Sequence, residues 1–526
     1  MNGTWLTVLM AVPLVGAAVL AVLPRRIDGN LAKQVALGVS LVTLVLGAVL
    51  AFSFEPGGGY QFTVEVDWIS AFGAHFALGL DGIGLALVLM TVILAPVVIL
   101  ASWNDADPVV DPTAGEARSP RWSTHSFFAW VLALEGLAIG VFAATDVFLF
   151  YVLFEATLIP IYFLIGGFGG PERAKAALKF LLYSLAGGLI MLASVIGLYV
   201  VSADSSFGPT YLLSELQQVD IATDVGRWLF LGFFIAFAIK APMFPVHTWL
   251  PDAAAQGTPG TSVLLVSILD KIGTFGMIRF CLTLFPEASE WATPVVVVLA
   301  LISIVYGALM AIGQDNIPRL IAFTSVSHFG FIVLGIFVMN SYGGSGATLY
   351  MFNHGLSTAA LFLVTGYLIK RRGSAQISDF GGVEKVAPIL AGILLFAGLS
   401  SLGLPGLSPF VSEFLVIVGS WQYAIWVAVI AVTGIIWAAL YILLMYQRTM
   451  TGPTRPEVAG MSDLKVREIV ALAPVLVLIL GLGLFPKPLL DVINPAVEDT
   501  LVFVDGASVE PVATAADGAT AEEGDN

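Results

Sequence analysis

Six ionisable side chains lie alone inside long apolar segments of this sequence: Glu155, Lys240, Lys271, His328, His354 and Glu413. Placing one charge at the centre of a lipid bilayer costs about 2.5 kcal/mol or more. Six such groups in one chain are therefore expected to face a hydrated path rather than lipid. Because carboxylates, amines and imidazoles all exchange protons, these residue types predict a path for the proton.

The residue types also suggest individual roles. Loss of water disfavours the charged form of a side chain, and a nearby opposite charge restores it. A pair formed by Glu155 and Lys240 would therefore let each group control the charge of the other. Lys271 suits a central proton acceptor, histidines exchange protons near neutral pH, and Glu413 suits a terminal carboxylate. Glu135, in another apolar segment, is a weaker member of the set.

Other interpretations of these residues remain open at this stage. Glu155 and Lys240 could form a purely structural ion pair. His328 and His354 could be hydrogen-bonded packing residues, or they could together bind a haem. Asp270 directly precedes Lys271, but neighbouring residues on a helix point in different directions, so a pair between them is doubtful.

The composition indicates an integral membrane protein. Apolar residues make up 58% of the chain and charged residues only 11%, whereas soluble domains carry about 25% charged residues. No basic stripe suggests nucleic-acid binding. Cys281 is the only cysteine, so we expect no internal disulfide and no thiolate site for zinc or an iron–sulfur cluster.

Long apolar runs predict an all-α fold of fourteen transmembrane helices. In chain order the predicted spans are 4–23, 34–54, 80–102, 127–144, 146–167, 173–202, 228–250, 261–283, 292–313, 317–340, 345–370, 387–417, 422–448 and 467–487. Four of the lone groups (Glu155, Lys271, His328 and His354) lie nine to eleven residues inside their spans. At 1.5 Å per residue this depth is roughly 14–16 Å, which is the middle of the bilayer.

The positions of Lys and Arg predict the orientation. Arg25 and Arg26 follow the first apolar segment, whereas a signal peptide carries its positive charge before that segment. With the N-terminus outside, 17 of the 22 Lys and Arg residues fall at cytoplasmic helix ends, as the positive-inside rule requires. Both termini are then predicted on the outer side of a bacterial plasma membrane. The segment 498–526 holds eight acidic residues and no basic residue, and is predicted to be disordered.

Two predicted spans are interrupted. The sequence KAPMFP breaks the span 228–250, and GLPGLSP breaks the span 387–417. A proline inside a helix removes a backbone hydrogen bond, and at membrane depth such a break survives only against protein or water. The broken spans are the seventh and the twelfth, which predicts two inverted five-helix repeats, helices 4–8 and 9–13. The resulting divisions are 1–102 (helices 1–3), 127–283 and 292–448 (the repeats), 467–487 (the last helix) and 498–526 (the tail).

Five motifs resemble those of the antiporter-like subunits of respiratory complex I, the bacterial proton-translocating NADH–quinone oxidoreductase, and among them the M-type subunits most of all. The similarity covers most of residues 80–490. The motifs are FEATLIPIYFLIG (154–166), KAPMFPVHTWLPDA (240–253), LDKIGTFGMIRF (269–280), NHGLSTAALFL (353–363) and LPGLSPFVSEFL (404–415).

The resemblance implies that Glu155 and Lys240 form the family's glutamate–lysine pair and that Lys271 is its central lysine. His328 and His354 would connect that lysine to Glu413, the terminal group. It also implies that this chain holds no cofactor, and that NADH, FMN, iron–sulfur clusters and quinone belong to partner subunits. The expected partners are other membrane-arm subunits, the lipid bilayer and protons, without nucleic acid.

Three alternatives share these motifs or this composition. One is a subunit of a multisubunit sodium/proton antiporter, and the glutamate at 413 argues against it because such relatives generally carry lysine there. Another is the membrane arm of a hydrogenase or related reductase. The last is a structural assembly subunit whose charges only hold helices together. Asp270 departs from the apolar residue usual in the family before the central lysine.

Overall fold

The computed structural model describes residues 3–24, 28–57, 59–107, 109–110, 117–118 and 122–504. The described chain is a helical bundle with two antiparallel pairs of strands. Its first half contains α1 (Thr4–Val22), α2 (Gly29–Phe52), α3 (Gly82–Ala101), α4 (Thr124–Ala143), α5 (Val147–Ala156), α6 (Leu158–Phe168), α7 (Arg173–Ser202), α8 (Leu213–Leu216), α9 (Thr223–Lys240), α10 (Trp249–Gln256), α11 (Pro259–Val263) and α12 (Lys271–Gly276). Two π-helical segments, Leu264–Leu269 and Met277–Leu282, flank α12.

The second half continues with α13 (Pro286–Ile312), α14 (Ile317–Phe337), α15 (Ser341–Arg372), α16 (Pro388–Ser401), α17 (Ser408–Tyr423), α18 (Ile425–Met450), α19 (Val466–Leu484) and α20 (Lys487–Leu501). Single 3₁₀ turns occur at Ser70–Phe72, Ile377–Asp379 and Val383–Lys385. The strands are β1 (Gln61–Ile69), β2 (Ala74–Leu80), β3 (Val109–Val110) and β4 (Ala117–Arg118), which pair antiparallel as β1–β2 and β3–β4.

Twelve helical stretches of the described residues are long and apolar enough to cross a membrane. They coincide with twelve of the fourteen predicted spans to within a few residues, apart from the second and ninth, whose helices begin at Gly29 and Pro286 rather than at 34 and 292. The other two predicted spans each consist of two shorter helices, α9 with α10 and α16 with α17. The chain is therefore a helical multi-pass membrane protein.

Three spans form the centre of the bundle. Residues 260–282, 320–338 and 345–368 are buried without exception. In contrast, α1, α2, α7, α18 and α19 expose many Leu, Ile and Val side chains on one side, as expected of helices that face lipid or a neighbouring apolar surface. The three central spans carry Lys271, His328 and His354. The most deeply buried helices therefore hold side chains whose placement in a membrane costs the most free energy.

Prolines and glycines explain the helix breaks. Lys240 ends α9, and Pro242 and Pro245 follow within the irregular segment 241–248. Between α16 and α17, Gly403 and Gly406 adopt φ values of +72° and +93°, a left-handed backbone that glycine tolerates best. Pro160 lacks the N–H that would bond to the carbonyl four residues earlier, and α5 accordingly gives way to α6 at residue 157.

The β1–β2 hairpin and the helix α20 were not predicted from the sequence. The hairpin occupies most of the region between the second and third predicted spans. The amphipathic helix α20 buries Leu489, Ile493 and Val497 against the bundle, where it contacts α3 and α15. Its last residues, 498–501, were predicted to begin the disordered tail, and that boundary was wrong; residues 505–526 lie outside the described residues.

A buried ion pair connects one of the central spans to the start of α3. Arg279 Nη2 lies 2.7 Å from Asp81 Oδ2, and both side chains are only 6% exposed. Asp81 also accepts a hydrogen bond from the Gly84 backbone N–H and so caps α3. Lys33 Nζ contacts Asp107 Oδ2 at 2.7 Å. Arg279 lies inside the π-helical segment Met277–Leu282 and is buried.

We expect Arg279→Leu to destabilise the protein, because it leaves the Asp81 carboxylate buried without its cation, at a cost of about 3–5 kcal/mol. The midpoint of thermal unfolding of the purified protein should fall clearly. The double variant Arg279→Leu/Asp81→Asn should recover part of the loss, since no charge remains unpaired.

Lys487→Ala provides the matched control. Its exposed ion pair with Asp491 should contribute less than about 1 kcal/mol. If Arg279→Leu and Lys487→Ala had equal effects, the Asp81–Arg279 pair would have no special structural role.

Candidate functional site

Lys271 lies at the junction between a π-helical segment and α12. Its side chain is fully buried, and its Nζ donates a hydrogen bond to the Val266 carbonyl at 2.6 Å. The same Nζ lies 2.7 Å from His354 Nδ1 on α15 and 5.0 Å from the centroid of the Phe329 ring. π-Helical turns occur often at functional sites, and here the turn supplies a backbone acceptor to a fully buried lysine.

The two histidines contact each other directly. Their ring centroids are 5.2 Å apart, edge to face. His328 Nε2 lies 3.2 Å from the hydroxyl of Tyr441, and His354 Nδ1 is engaged by Lys271. A porphyrin has no room between two rings in contact, so the haem interpretation is wrong for this geometry. Among the described residues there is also no group of three His, Cys, Asp or Glu side chains that could hold a metal ion.

Tyr350 connects the histidines to Glu413. Its ring lies 5.8 Å from His328 and 6.2 Å from His354, measured between centroids, and its hydroxyl donates a hydrogen bond to Glu413 Oε1. Glu413 lies six residues into α17, and a Cβ at Gly403 would collide with its carboxylate. The break before α17 thus makes room for this buried acid.

Asn353 fixes the helix that carries this cluster. Its side-chain amide donates to the Ser408 carbonyl at 2.7 Å and to Ser412 Oγ at 3.3 Å. These bonds join α15 to the start of α17 and set the position of His354, the next residue. Lys271, His354, His328, Tyr350 and Glu413 therefore form a continuous run of neighbouring groups across three helices and a π-helical junction.

Glu155 and Lys240 lie near each other without touching. No hydrogen bond or ion pair within 4 Å joins them in the described structure. Lys240 Nζ lies 4.5 Å from the centroid of the Phe154 ring. The carboxylate of Glu155 fits against Gly188 of α7, where a Cβ would overlap it. Of the six predicted groups only Glu155 is partly exposed; the others are buried.

Two further acids are buried near the site elements. Glu135 on α4 is 1% exposed, and neither of its carboxylate oxygens has a hydrogen-bond partner in the described part of the chain. No hydrogen bond among the described residues joins it to the run of neighbouring groups. Asp270 is fully buried and makes no ion pair within 4 Å with Lys271 among the described residues, in agreement with the doubt raised by their adjacency.

The sequence analysis did not identify the two tyrosines of the cluster. Tyr350 precedes His354 by four residues, which places both on one face of α15, so helical spacing could have suggested it. Tyr441 is on α18, and no local pattern connects it to His328. Lys179 donates to Asp252 Oδ2 at 2.7 Å, and Asp252 also pairs with Arg319.

Comparisons with known proteins show which family this chain belongs to. A family model described as NADH:quinone oxidoreductase/Mrp antiporter, TM, matches residues 144–437. NADH-quinone oxidoreductase subunit M of Mycobacterium tuberculosis is 49% identical, with 96% of this chain and 95% of that protein aligned. Subunit M of Rhodobacter capsulatus is 38% identical, with 94% and 95% aligned.

Solved structures share the fold. A chain of respiratory complex I from Thermus thermophilus with bound NADH superposes with a TM-score of 0.85 at 30% identity, covering 95% of this chain and all of that one. A chain of the Mrp complex from Dietzia sp. superposes with a TM-score of 0.82 at 21% identity, covering 95% and 97%; at that identity only the fold is shared. The chain therefore belongs to the family of NADH-quinone oxidoreductase M subunits, the antiporter-like membrane subunits of respiratory complex I.

Proposed function

We propose that this chain moves protons across the membrane through its buried ionisable groups, driven by redox chemistry in other subunits of complex I. The observation that carries the proposal is the continuous run of contacts from Lys271 through His354, His328 and Tyr350 to Glu413. Each neighbour in this run can donate or accept a proton or a hydrogen bond. We call this run the proton path.

The unpartnered buried groups support a hydrated path. Lys240 Nζ, Glu155 Oε1 and His354 Nε2 are buried and have no hydrogen-bond partner among the described residues. A buried polar atom without a partner costs about 1–3 kcal/mol in proteins, and water molecules normally fill that role. Water at these atoms would join Glu155 and Lys240 to the proton path.

The separation of Glu155 from Lys240 suits a switch. When the two charges approach, their attraction holds the proton on Lys240; when they separate, burial favours the neutral amine and the proton is released. The ring of Phe154 lies beside Lys240. It can stabilise the ammonium by a cation–π contact when Glu155 is farther away. Redox chemistry elsewhere in the complex would change the separation, Lys271 would then take up or give up a proton, and the proton would leave by way of Glu413.

The proposal also includes the topology of the chain in the membrane and its contacts with partner subunits. The broken helices complete fourteen membrane crossings, arranged as two inverted five-helix repeats, with both termini on the outer side of a bacterial plasma membrane. NADH, FMN, iron–sulfur clusters and quinone would be bound by partner subunits. Neighbouring antiporter-like subunits would cover some of the exposed apolar side chains of α1, α2, α7, α18 and α19.

Glu155→Ala and Lys240→Ala should each reduce NADH-driven proton uptake into vesicles that contain the assembled complex. A proton-transfer group typically contributes about 100-fold or more to a rate, so the loss should exceed tenfold. Lys175→Ala is the control, because this lysine is exposed on α7 and should leave pumping unchanged.

Normal pumping by both variants, in complexes of normal subunit composition, would refute the assigned pair. Complexes that fail to assemble would instead favour a purely structural role for the two charges.

Glu413→Gln should block release of the proton, because the amide keeps the shape of the carboxylate but cannot titrate. Tyr350→Phe should have a smaller effect, since it removes one hydrogen bond to Glu413 and leaves the acid itself. The measurement is again NADH-driven proton uptake, with Tyr342→Phe, farther from the path on α15, as the control. A larger loss in Tyr350→Phe than in Glu413→Gln would contradict the proposed order of roles.

Sodium transport separates this function from that of a cation antiporter. We expect no NADH-driven sodium-22 accumulation in vesicles containing the assembled complex. Sodium accumulation that disappears in Lys240→Ala would instead assign sodium exchange to this chain.

A further inference from the structure

Asp270 is a buried acid with no assigned role. Its side chain is 0% exposed, and neither carboxylate oxygen has a hydrogen-bond partner in the described part of the chain. A leucine could fill a similar volume in this apolar region without the cost of burying a carboxylate. An acid kept in such a place is a candidate functional group.

The packing of α12 shows which way Asp270 faces. Residues three apart on a helix share a face, so Asp270 shares one with Gly273. At Gly273 a Cβ would lie 2.6 Å from both the Ala241 backbone nitrogen and the Phe237 carbonyl oxygen, so this face is pressed against the last turn of α9. That turn ends at Lys240, and Asp270 therefore faces the end of α9 that carries this lysine.

Lys271 points the other way, towards α15. Its Nζ contacts His354 and is the first group of the proton path. Asp270 and Lys271 thus lie on two different faces of one helical segment. Asp270 faces the end of α9 that carries Lys240, and Lys271 faces His354.

We propose that Asp270 relays protons between Lys240 and Lys271, a role that rests on the proton-translocating function proposed above. In the first step the ammonium of Lys240 gives a proton to the carboxylate of Asp270, and a neutral amine and a carboxylic acid result. In the second step the acid gives that proton to the neutral amine of Lys271, which restores the carboxylate and forms an ammonium. Water can complete either hydrogen bond.

Electrostatics favours such a relay in a buried setting. Each step converts an oppositely charged pair into a neutral pair, or the reverse, so the net charge of the region does not change. Two buried charges of opposite sign pay a desolvation cost that their attraction offsets only in part. The ionic and neutral forms can therefore lie close in free energy, which is the condition for rapid transfer in both directions.

The first test compares Asp270→Asn with Asp270→Glu in the assembled complex in vesicles. The amide has the same shape but cannot carry a proton, so NADH-driven proton uptake should fall by at least about tenfold. The glutamate retains the acid and should keep most of the activity. Asp204→Asn, an exposed aspartate on a loop, is the control and should pump normally.

The outcomes also separate this inference from the function on which it rests. If Asp270→Asn pumps normally while Lys240→Ala does not, the relay is wrong and the function stands. If both pump normally, the proposed function itself fails.

A second measurement does not depend on the folding of the asparagine variant. Infrared difference spectra during turnover should contain the C=O stretch of a transiently protonated carboxylic acid, and Asp270→Glu should shift that band. A purely structural aspartate would remain in one protonation state, so the absence of any band sensitive to Asp270→Glu would overturn the proposal.

Discussion

The structure depends on shielding ionisable side chains from hydrocarbon. A charged group in a bilayer persists when it faces protein, a partner or a water-filled cavity. Here the spans that carry Lys271, His328 and His354 are surrounded by other helices along most of their length. Peripheral helices provide the apolar exterior and carry fewer of these groups. The burial of three helices is thus the condition under which a row of titratable side chains can exist in the membrane.

The irregular backbone serves the same purpose. Where α9 ends at Lys240 and where α17 begins before Glu413, the helix is interrupted next to a buried charge. At Lys271 the helix is not broken but widens into a π-helical turn, and the Val266 carbonyl accepts from the lysine. Breaks and π-turns both give polar side chains access to backbone groups that a regular helix would keep occupied.

The two ends of the site differ in how tightly they are joined. From Lys271 to Glu413 the groups are in contact, through hydrogen bonds and ring edges. From Glu155 to Lys240 to Lys271 no hydrogen bond joins the groups among the described residues, and Asp270, beside Lys271, has no hydrogen-bond partner there. A contact network favours passage of a proton, whereas separated charges favour control. This difference is what the proposed function requires, with Glu155 and Lys240 as the switch and the groups from Lys271 to Glu413 as the proton path.

Much of the fold could be predicted from the sequence, because apolar length and proline position act locally. The breaks after Lys240 and before Glu413 are examples. The contacts of the site could not be derived in the same way, since helices that are apolar all round do not reveal which face meets which neighbour. The contact of Tyr441 with His328 and the separation of Glu155 from Lys240 could be found only from the packing of the helices. The β1–β2 hairpin and α20 were not predicted because neither is a continuous apolar run.

The most direct measurement is proton uptake by vesicles containing the assembled complex with Lys271→Met, which keeps the length of the side chain and removes its charge. NADH oxidation by an artificial electron acceptor, which bypasses the membrane path, would show that the redox subunits are intact. A path that runs through Lys271 predicts near-complete loss of proton uptake with that electron transfer preserved. Undiminished uptake at normal assembly would mean that protons cross the membrane without this lysine.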